Sequence, residues 1–188
     1  MRNEDLSPCF QPSPAKGPPL MPSDAPAIET LFPVDQKEFR GGMALLAAAV
    51  NLVTTGGPAG EGGFTASAVT SVTDDPATLL VCVRRAGSAT PLVRANGVVC
   101  VNTLSAGQEA LSSAFGSSTG TLADRFALGE WTKLVTGAPV LRGAIANFDC
   151  RIAQVAEVGT HSVLFCQVLA VHTVPDAAPL LYFNRAYR

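Results

Sequence analysis

Residues 63–85 read GFTASAVTSVTDDPATLLVCVRR, and the fold turns on how this stretch is divided. Phe64–Thr73 is a run of small and β-branched residues, which predicts a strand. Asp74-Asp75-Pro76 ends it as a turn. Thr78–Val83 is a continuous apolar run of strand length, the pattern of a strand buried on both faces. Hydroxyls recur at Thr65, Ser67, Ser71 and Thr73, with Thr70 on the opposite side, because successive side chains on a strand alternate faces. Two readings of that face stand: an edge strand turning Ser and Thr to water, or a surface of small side chains that a flat ligand can approach closely.

Working outward, Asp35-Gln36-Lys37-Glu38 resembles a capping box, and Phe39, Met43, Leu46 and Val50 follow at helical spacing. Leu52–Thr55 predicts a strand, and the glycine-rich segment 56–63 predicts a long hairpin loop. On the C-terminal side, strands are expected at Gly97–Leu104, Lys133–Val135, Ala144–Glu157, Ser162–Val174 and Leu180–Asn184, with Gly159-Thr160-His161 as a hairpin connection. Short helices are expected after Ser105-Ala106-Gly107-Gln108 and after Thr121-Leu122-Ala123-Asp124, with a further helix start at Pro91. Many short strands and few helices predict a mainly β fold, a closed or nearly closed barrel with short flanking helices.

The chain has 188 residues, enough for one domain with its own core. Eight of its 14 prolines lie in residues 1–34. That zone lacks apolar periodicity and predicts a flexible proline-rich arm, either a tail or a segment draped over a partner subunit. The folded domain is expected over 35–188. A formal net charge of −2 argues against nucleic acid as a partner. No apolar run reaches membrane-span length, and the N-terminus lacks the apolar stretch of a signal peptide. The five cysteines form no CxxC pair, which predicts a reduced, cytoplasmic protein without structural zinc. With only two histidines, a three-histidine metal site is ruled out.

Candidate chemistry is sparse. Gly116-Ser117-Ser118-Thr119-Gly120 fits G-x-S-x-G literally, but a hydrolase elbow needs a strand before it and here a helix is expected, so it reads as a Ser/Gly loop. Segment 56–63 matches neither nucleotide-loop motif. Arg84-Arg85-Ala86-Gly87-Ser88-Ala89-Thr90-Pro91 reads equally as an anion-binding loop or as a solvated one. His161 stands in a loop with no neighbouring carboxylate in sequence to orient it. No catalytic triad is encoded.

Residues 63–93, then GVVCVNTLSAGQEALSSAFG (97–116), DRF (124–126), TGAPVLRGAIANFDCRI (136–152), EVGTHSVLFCQV (157–168) and LLYFNRAYR (180–188) together resemble the flavin reductase family over about residues 36–188. The resemblance implies a split-barrel FMN-binding fold of Greek-key type and a homodimer with sites at the subunit interface. It implies an NAD(P)H:flavin oxidoreductase that passes a hydride from NADH or NADPH to N5 of FMN or FAD and supplies reduced flavin to a partner monooxygenase, as the reductase of 4-hydroxyphenylacetate 3-monooxygenase does. A flavoprotein that retains FMN and reduces another acceptor, such as a corrinoid or a metal complex, is the alternative enzyme. A non-catalytic flavin-binding barrel is the alternative outside catalysis. Carried over by motif, Thr65, Ser67, Ala68, Ser71 and Val72 would meet the isoalloxazine ring and ribityl chain. Cys82, Val83 and Arg84 would lie along the flavin, and Arg84, Ser88 and Thr90 would hold its phosphate end. Asn102 and Thr103 would flank the site. His161 would be the catalytic residue facing the nicotinamide, with Thr160 where the family more often has Asp. Tyr182 and Tyr187 would close the pocket from the partner subunit. Hydride transfer needs two stacked rings more than an acid and a base, so the missing triad fits this reaction.

Overall fold

A computed structural model describes residues 34–188. The expected arm therefore lies, but for Val34, outside the described residues. In chain order the elements are α1 (Gln36–Ala44), β1 (Ala48–Ala49), β2 (Asn51–Thr55), β3 (Gly62–Ala66), β4 (Val69–Asp74), β5 (Ala77–Arg84), α2 (Thr90–Asn96), β6 (Val98–Thr103), α3 (Glu109–Gly116), α4 (Leu122–Phe126), β7 (Trp131–Lys133), β8 (Pro139–Leu141), β9 (Ala146–Val158), β10 (His161–Thr173), β11 (Leu181–Phe183) and β12 (Ala186–Tyr187).

Seven strands form one antiparallel sheet in the order β3-β2-β6-β9-β10-β5-β4. The two edge strands, β3 and β4, are consecutive in the chain. A flat sheet of this size would hold its edges about 29 Å apart at about 4.8 Å per strand. The link from Ala66 to Val69 spans at most about 11 Å, so the sheet must curl into a barrel. The turn at Ser67-Ala68 joins the edges: the Val69 amide donates to the Ser67 carbonyl at 3.0 Å, and the Cys82 amide donates to the Ala68 carbonyl at 3.1 Å. The single strand expected over Phe64–Thr73 is thus two strands with a corner. Small side chains at Ser67 and Ala68 permit that corner, and periodicity runs through it undisturbed because both halves are strand.

The barrel interior takes alternate residues from the strands around it: Val53, Ala66, Leu79, Val81, Val83, Val99, Val101, Cys150, Leu164 and Cys166. On β5 only Leu79, Val81 and Val83 are buried, whereas Thr78, Leu80 and Cys82 are half-buried. The apolar run read as buried on both faces is therefore buried on one. Its other face is partly open, because a single-layered barrel wall is covered outside only where another element lies on it. Such cover exists over β2, where all five residues are buried. There Val50, Leu52, Leu104, Leu111, Phe115, Leu141, Ala144 and Leu180 form a second core, joined by Phe126, Trp131 and Tyr187.

Helix α1 ends at Ala44, and none of its residues is buried. The Asp35 side chain accepts from the Glu38 amide at 2.8 Å, which makes the N-cap. Val50 was expected to continue the helix. It instead bonds through its backbone to Leu180 and Leu104, as part of the strand region. Thr121 and Asp124 form the full capping box expected of them. Glu109, not Ser105, opens α3, although Gln108 Oε1 still accepts from the Ser105 amide at 2.9 Å.

Strand β8 was not foreseen, and Asn102 explains its place. This side chain is fully buried. Its Nδ2 donates to the Leu52 carbonyl, Thr54 Oγ1 and the Cys100 carbonyl at 2.9, 3.1 and 3.3 Å. Its Oδ1 accepts from the Leu141 amide and from Asn147 Nδ2, both at 2.8 Å. One amide therefore stitches β8 to β2, β6 and β9. Among the described residues no helix is long and apolar enough to cross a membrane.

Asn102→Ala is expected to lower stability by about 2–4 kcal/mol, because it strands several buried polar groups at once. Denaturant unfolding measures this, and a loss under about 1 kcal/mol would show that the network is dispensable.

Candidate functional site

The corner that closes the barrel also opens a cleft of about 520 Å³, within the size range of small-molecule sites. One wall is the end of β3 and the corner itself, from Gly63 to Ala68. The next is the end of β5, with Cys82, Val83 and Arg84. The loop from Ala86 to Thr90 and the end of α3, with Phe115, Gly116, Ser117 and Ser118, also line it. Arg125 from α4 and His161 at the start of β10 complete it.

Local chemistry fixes each wall. Thr65 Oγ1 donates to the Ser112 carbonyl at 2.6 Å, which locks α3 against β3. Gly63 lies against the Phe115 ring, where an added Cβ would sit 2.9 Å from Cε1, so no larger residue fits without displacing that wall. The loop after β5 is two successive turns: the Gly87 amide donates to the Arg84 carbonyl at 2.9 Å, and the Thr90 amide to the Gly87 carbonyl at 3.1 Å. Thr90 Oγ1 also donates to the Arg84 carbonyl, at 2.6 Å. That buried hydroxyl is therefore committed to shaping the loop. Ser88 has no such bond among the described residues and lines the cleft.

His161 is paired with Arg84 across β10 and β5. Its Nδ1 lies 2.9 Å from Thr160 Oγ1. The Arg85 amide donates to the Thr160 carbonyl at 3.0 Å, which pins the hairpin turn to the loop after β5. Behind it, Glu157 bonds Arg94 and accepts from Ser162 Oγ at 3.0 Å, with Arg85 Nε at 3.8 Å. Desolvation pulls the Glu157 carboxyl upward. The hydrogen bonds from Arg94 and Ser162, with the charges of Arg94 and Arg85, outweigh it and leave the group below the ordinary carboxylate range. Glu157 therefore stays ionised and holds the base of the hairpin.

Charge in the cleft is one-sided. Its lining includes Arg84 and Arg125 and no Asp or Glu. Two guanidiniums without a carboxylate suit an anionic ligand.

Nine of the fifteen residues expected at the site line this cleft: Thr65, Ser67, Ala68, Cys82, Val83, Arg84, Ser88, Thr90 and His161. The other six do not. Ser71 and Val72 are exposed on the edge strand β4, past the corner. Asn102 is consumed by the buried network above, and Thr103 Oγ1 donates to Asn51 Oδ1 at 2.9 Å. Tyr187 packs its ring against Tyr182 and its hydroxyl lies 3.0 Å from Ser112 Oγ. Tyr182 faces a second, wider recess of about 980 Å³ beside α1, which shares Ser67 with the cleft. Sequence reasoning missed Phe64, Phe115, Arg125 and the Gly116–Ser118 turn. The Ser/Gly loop has a motif-like sequence, and the packing of α3 on β3 brings its start to the cleft.

A model of the flavin reductase like domain matches residues 43–188. The chain belongs to the flavin reductase family. It is 54% identical over 155 residues to the FMN reductase (NADH) RutF of Stutzerimonas stutzeri, covering 82% of this chain and 88% of that one. The fold superposes with a TM-score of 0.76 on the NADH:FAD oxidoreductase SgcE6 of Streptomyces globisporus in complex with NAD and FAD fragments, at 28% identity over 82% of this chain and 92% of that one. It also matches the styrene monooxygenase flavin reductase of Pseudomonas putida with a TM-score of 0.71, at 28% identity over 80% and 96% of the two chains. Membership agrees with the split-barrel architecture and with a cleft that offers hydroxyls, arginines and small side chains in place of an acid–base pair.

Cys82 gives the cleft a chemical reporter. Burial raises its thiol above the ordinary value. Its alkylation is expected to be slow at neutral pH and to keep rising with pH after an exposed thiol has levelled off. Site-resolved mass spectrometry of iodoacetamide-treated protein measures the rate. Labelling as fast as a free thiol at neutral pH would contradict the assignment.

Proposed function

We propose that this flavin reductase oxidises NADH and delivers the hydride to FMN, and that reduced FMN then serves a partner oxygenase. The cleft's composition carries this reading: no carboxylate, two arginines, and a corner of small residues that lets a flat ring lie against backbone. The relative named FMN reductase (NADH), at 54% identity, supports the choice of flavin and of nicotinamide nucleotide. The similarity to a styrene monooxygenase flavin reductase supports the oxygenase partner.

Bound flavin supplies a hydride acceptor at N5. The chain's residues bind and orient. Ser67 and Ala68 form the surface against which the ring lies, with Cys82 and Val83 at its side. Arg84 and Ser88 offer donors to the anionic end. Thr65 and Thr90 act through shape, since their hydroxyls hold the walls. His161 is the catalytic-side residue, steered by Thr160 in place of a carboxylate. The Thr160 hydroxyl, 2.9 Å from Nδ1, fixes the ring, and His161 serves to position the nicotinamide. Stacking two rings at contact distance supplies the rest by proximity.

We place the working form as a homodimer. Phe39, Met43, Leu45 and Leu46 on and after α1 are exposed, as are Val155, Val158, Leu169 and Val171 on the long β9–β10 hairpin. Such apolar surface is what an obligate interface covers. Tyr182 lines the recess beside α1 that also holds Ser67, next to this exposed apolar surface. Four free thiols among the described cysteines support a reducing, cytoplasmic setting for the protein.

A steady-state assay tests the activity. NADH oxidation monitored by nicotinamide absorbance should depend on added FMN and run faster than with FAD or NADPH; no oxidation with any flavin and nucleotide pair would end the reductase reading. His161→Ala should raise KM for NADH about tenfold while FMN affinity stays within about twofold. Loss of FMN binding with normal NADH kinetics would reverse that role. Deleting residues 1–34 should leave basal flavin reduction intact, since the family match begins at residue 43.

A further inference from the structure

Among the described residues, one buried side-chain nitrogen or oxygen lacks any hydrogen-bond partner, and it is Nε of Arg125. Buried donors are nearly always satisfied, so an orphan calls for an acceptor that the protein does not itself provide. Arg125 lines the cleft together with Ser88, Ser117 and Ser118. Its Nη2 donates to the Thr119 carbonyl at 3.1 Å and to the Gly120 carbonyl at 3.5 Å, which ties the guanidinium to the loop after α3. Among the described residues no ion pair neutralises it. The adjacent Asp124 turns its Oδ2 to the Thr121 amide and hydroxyl, at 3.1 and 2.7 Å, and not to Arg125. A planar cation anchored on one edge, unsatisfied on another, and placed in a carboxylate-free cleft is suited to a phosphoryl group.

We propose that Arg125 reads a phosphoryl group of the nucleotide bound in the cleft, and so makes phosphorylated flavin preferred over riboflavin. The proposal rests on the flavin reading above and adds a specificity residue to it. Binding turns the guanidinium toward the phosphoryl oxygens and gives Nε the acceptor it lacks. Arg84, which lines the same cleft, offers a second guanidinium to the anionic end.

Flavin fluorescence titrations with FMN and with riboflavin test this on full-length wild type, Arg125→Gln and Arg125→Lys. Wild type is expected to prefer FMN by about tenfold or more. Arg125→Gln should weaken FMN by roughly 10- to 100-fold and leave riboflavin within about twofold. Arg125→Lys, which keeps the charge without the fork, should fall between. KM for NADH is measured in parallel. An unchanged FMN-to-riboflavin ratio with a tenfold rise in that KM would assign Arg125 to the nicotinamide nucleotide and overturn the flavin preference proposed here. Equal weakening of both flavins in both variants would show Arg125 to be only a loop anchor and would overturn the proposal, as would no change in any arm. Wild type that binds neither flavin overturns the flavin reading and this proposal with it. Wild type that binds both, with every ratio unmoved in the variants, overturns this proposal alone.

Discussion

Closure of the sheet at Ser67-Ala68 is the constraint on which the rest depends. Strands β3 and β4 follow each other in the chain yet occupy opposite edges of seven strands. Covalent connectivity therefore bends the sheet until its edges are joined at Ser67-Ala68, and the Cys82–Ala68 backbone bond carries the β4–β5 ladder into that corner. An interior lined by alternate side chains from the strands follows from that curl, as does a half-open outer face on β5. The cleft lies where the closure leaves the wall incomplete.

Two polar arrangements hold this geometry. The buried Asn102 amide satisfies β2, β6, β8 and β9 together, so its energy is a property of the network and not of one bond. The charged group of Glu157, Arg94 and Arg85 sits at the surface, where exposed ion pairs contribute little to stability. Its effect is on the orientation of the hairpin that carries His161. The buried network thus supports the fold, and the exposed cluster supports the placement of one side chain.

The cleft does without acid–base machinery, and that suits transfer of a hydride between stacked rings. Preorganised walls and an anion-compatible field are what the protein contributes. Several hydroxyls that look like ligand groups in sequence serve the walls instead. Thr65 and Thr90 each donate to a backbone carbonyl, so their value to a ligand is the shape that they keep.

Much of this was legible from local pattern. Strand alternation, the Thr121 cap, the turn at Asp74-Asp75-Pro76 and the barrel class follow from side-chain size, branching and turn chemistry, which act over a few residues. The motif resemblance added the family and nine residues that line the cleft. The remainder depends on contacts between distant segments. Periodicity cannot show a corner when the chain is extended on both sides of it, so Phe64–Thr73 looked continuous and Ser71 and Val72 looked like cleft residues. Asn102 read as a site residue because its type and position suit a ligand, and only three-dimensional packing reveals five protein partners. Arg125 stands in the DRF motif of the resemblance but drew no role there, because its place in the cleft depends on residues far apart in sequence. Local chemistry determined which elements form. Closure of the barrel decided which of their side chains meet, because that choice is made by long-range pairing and not by neighbours along the chain.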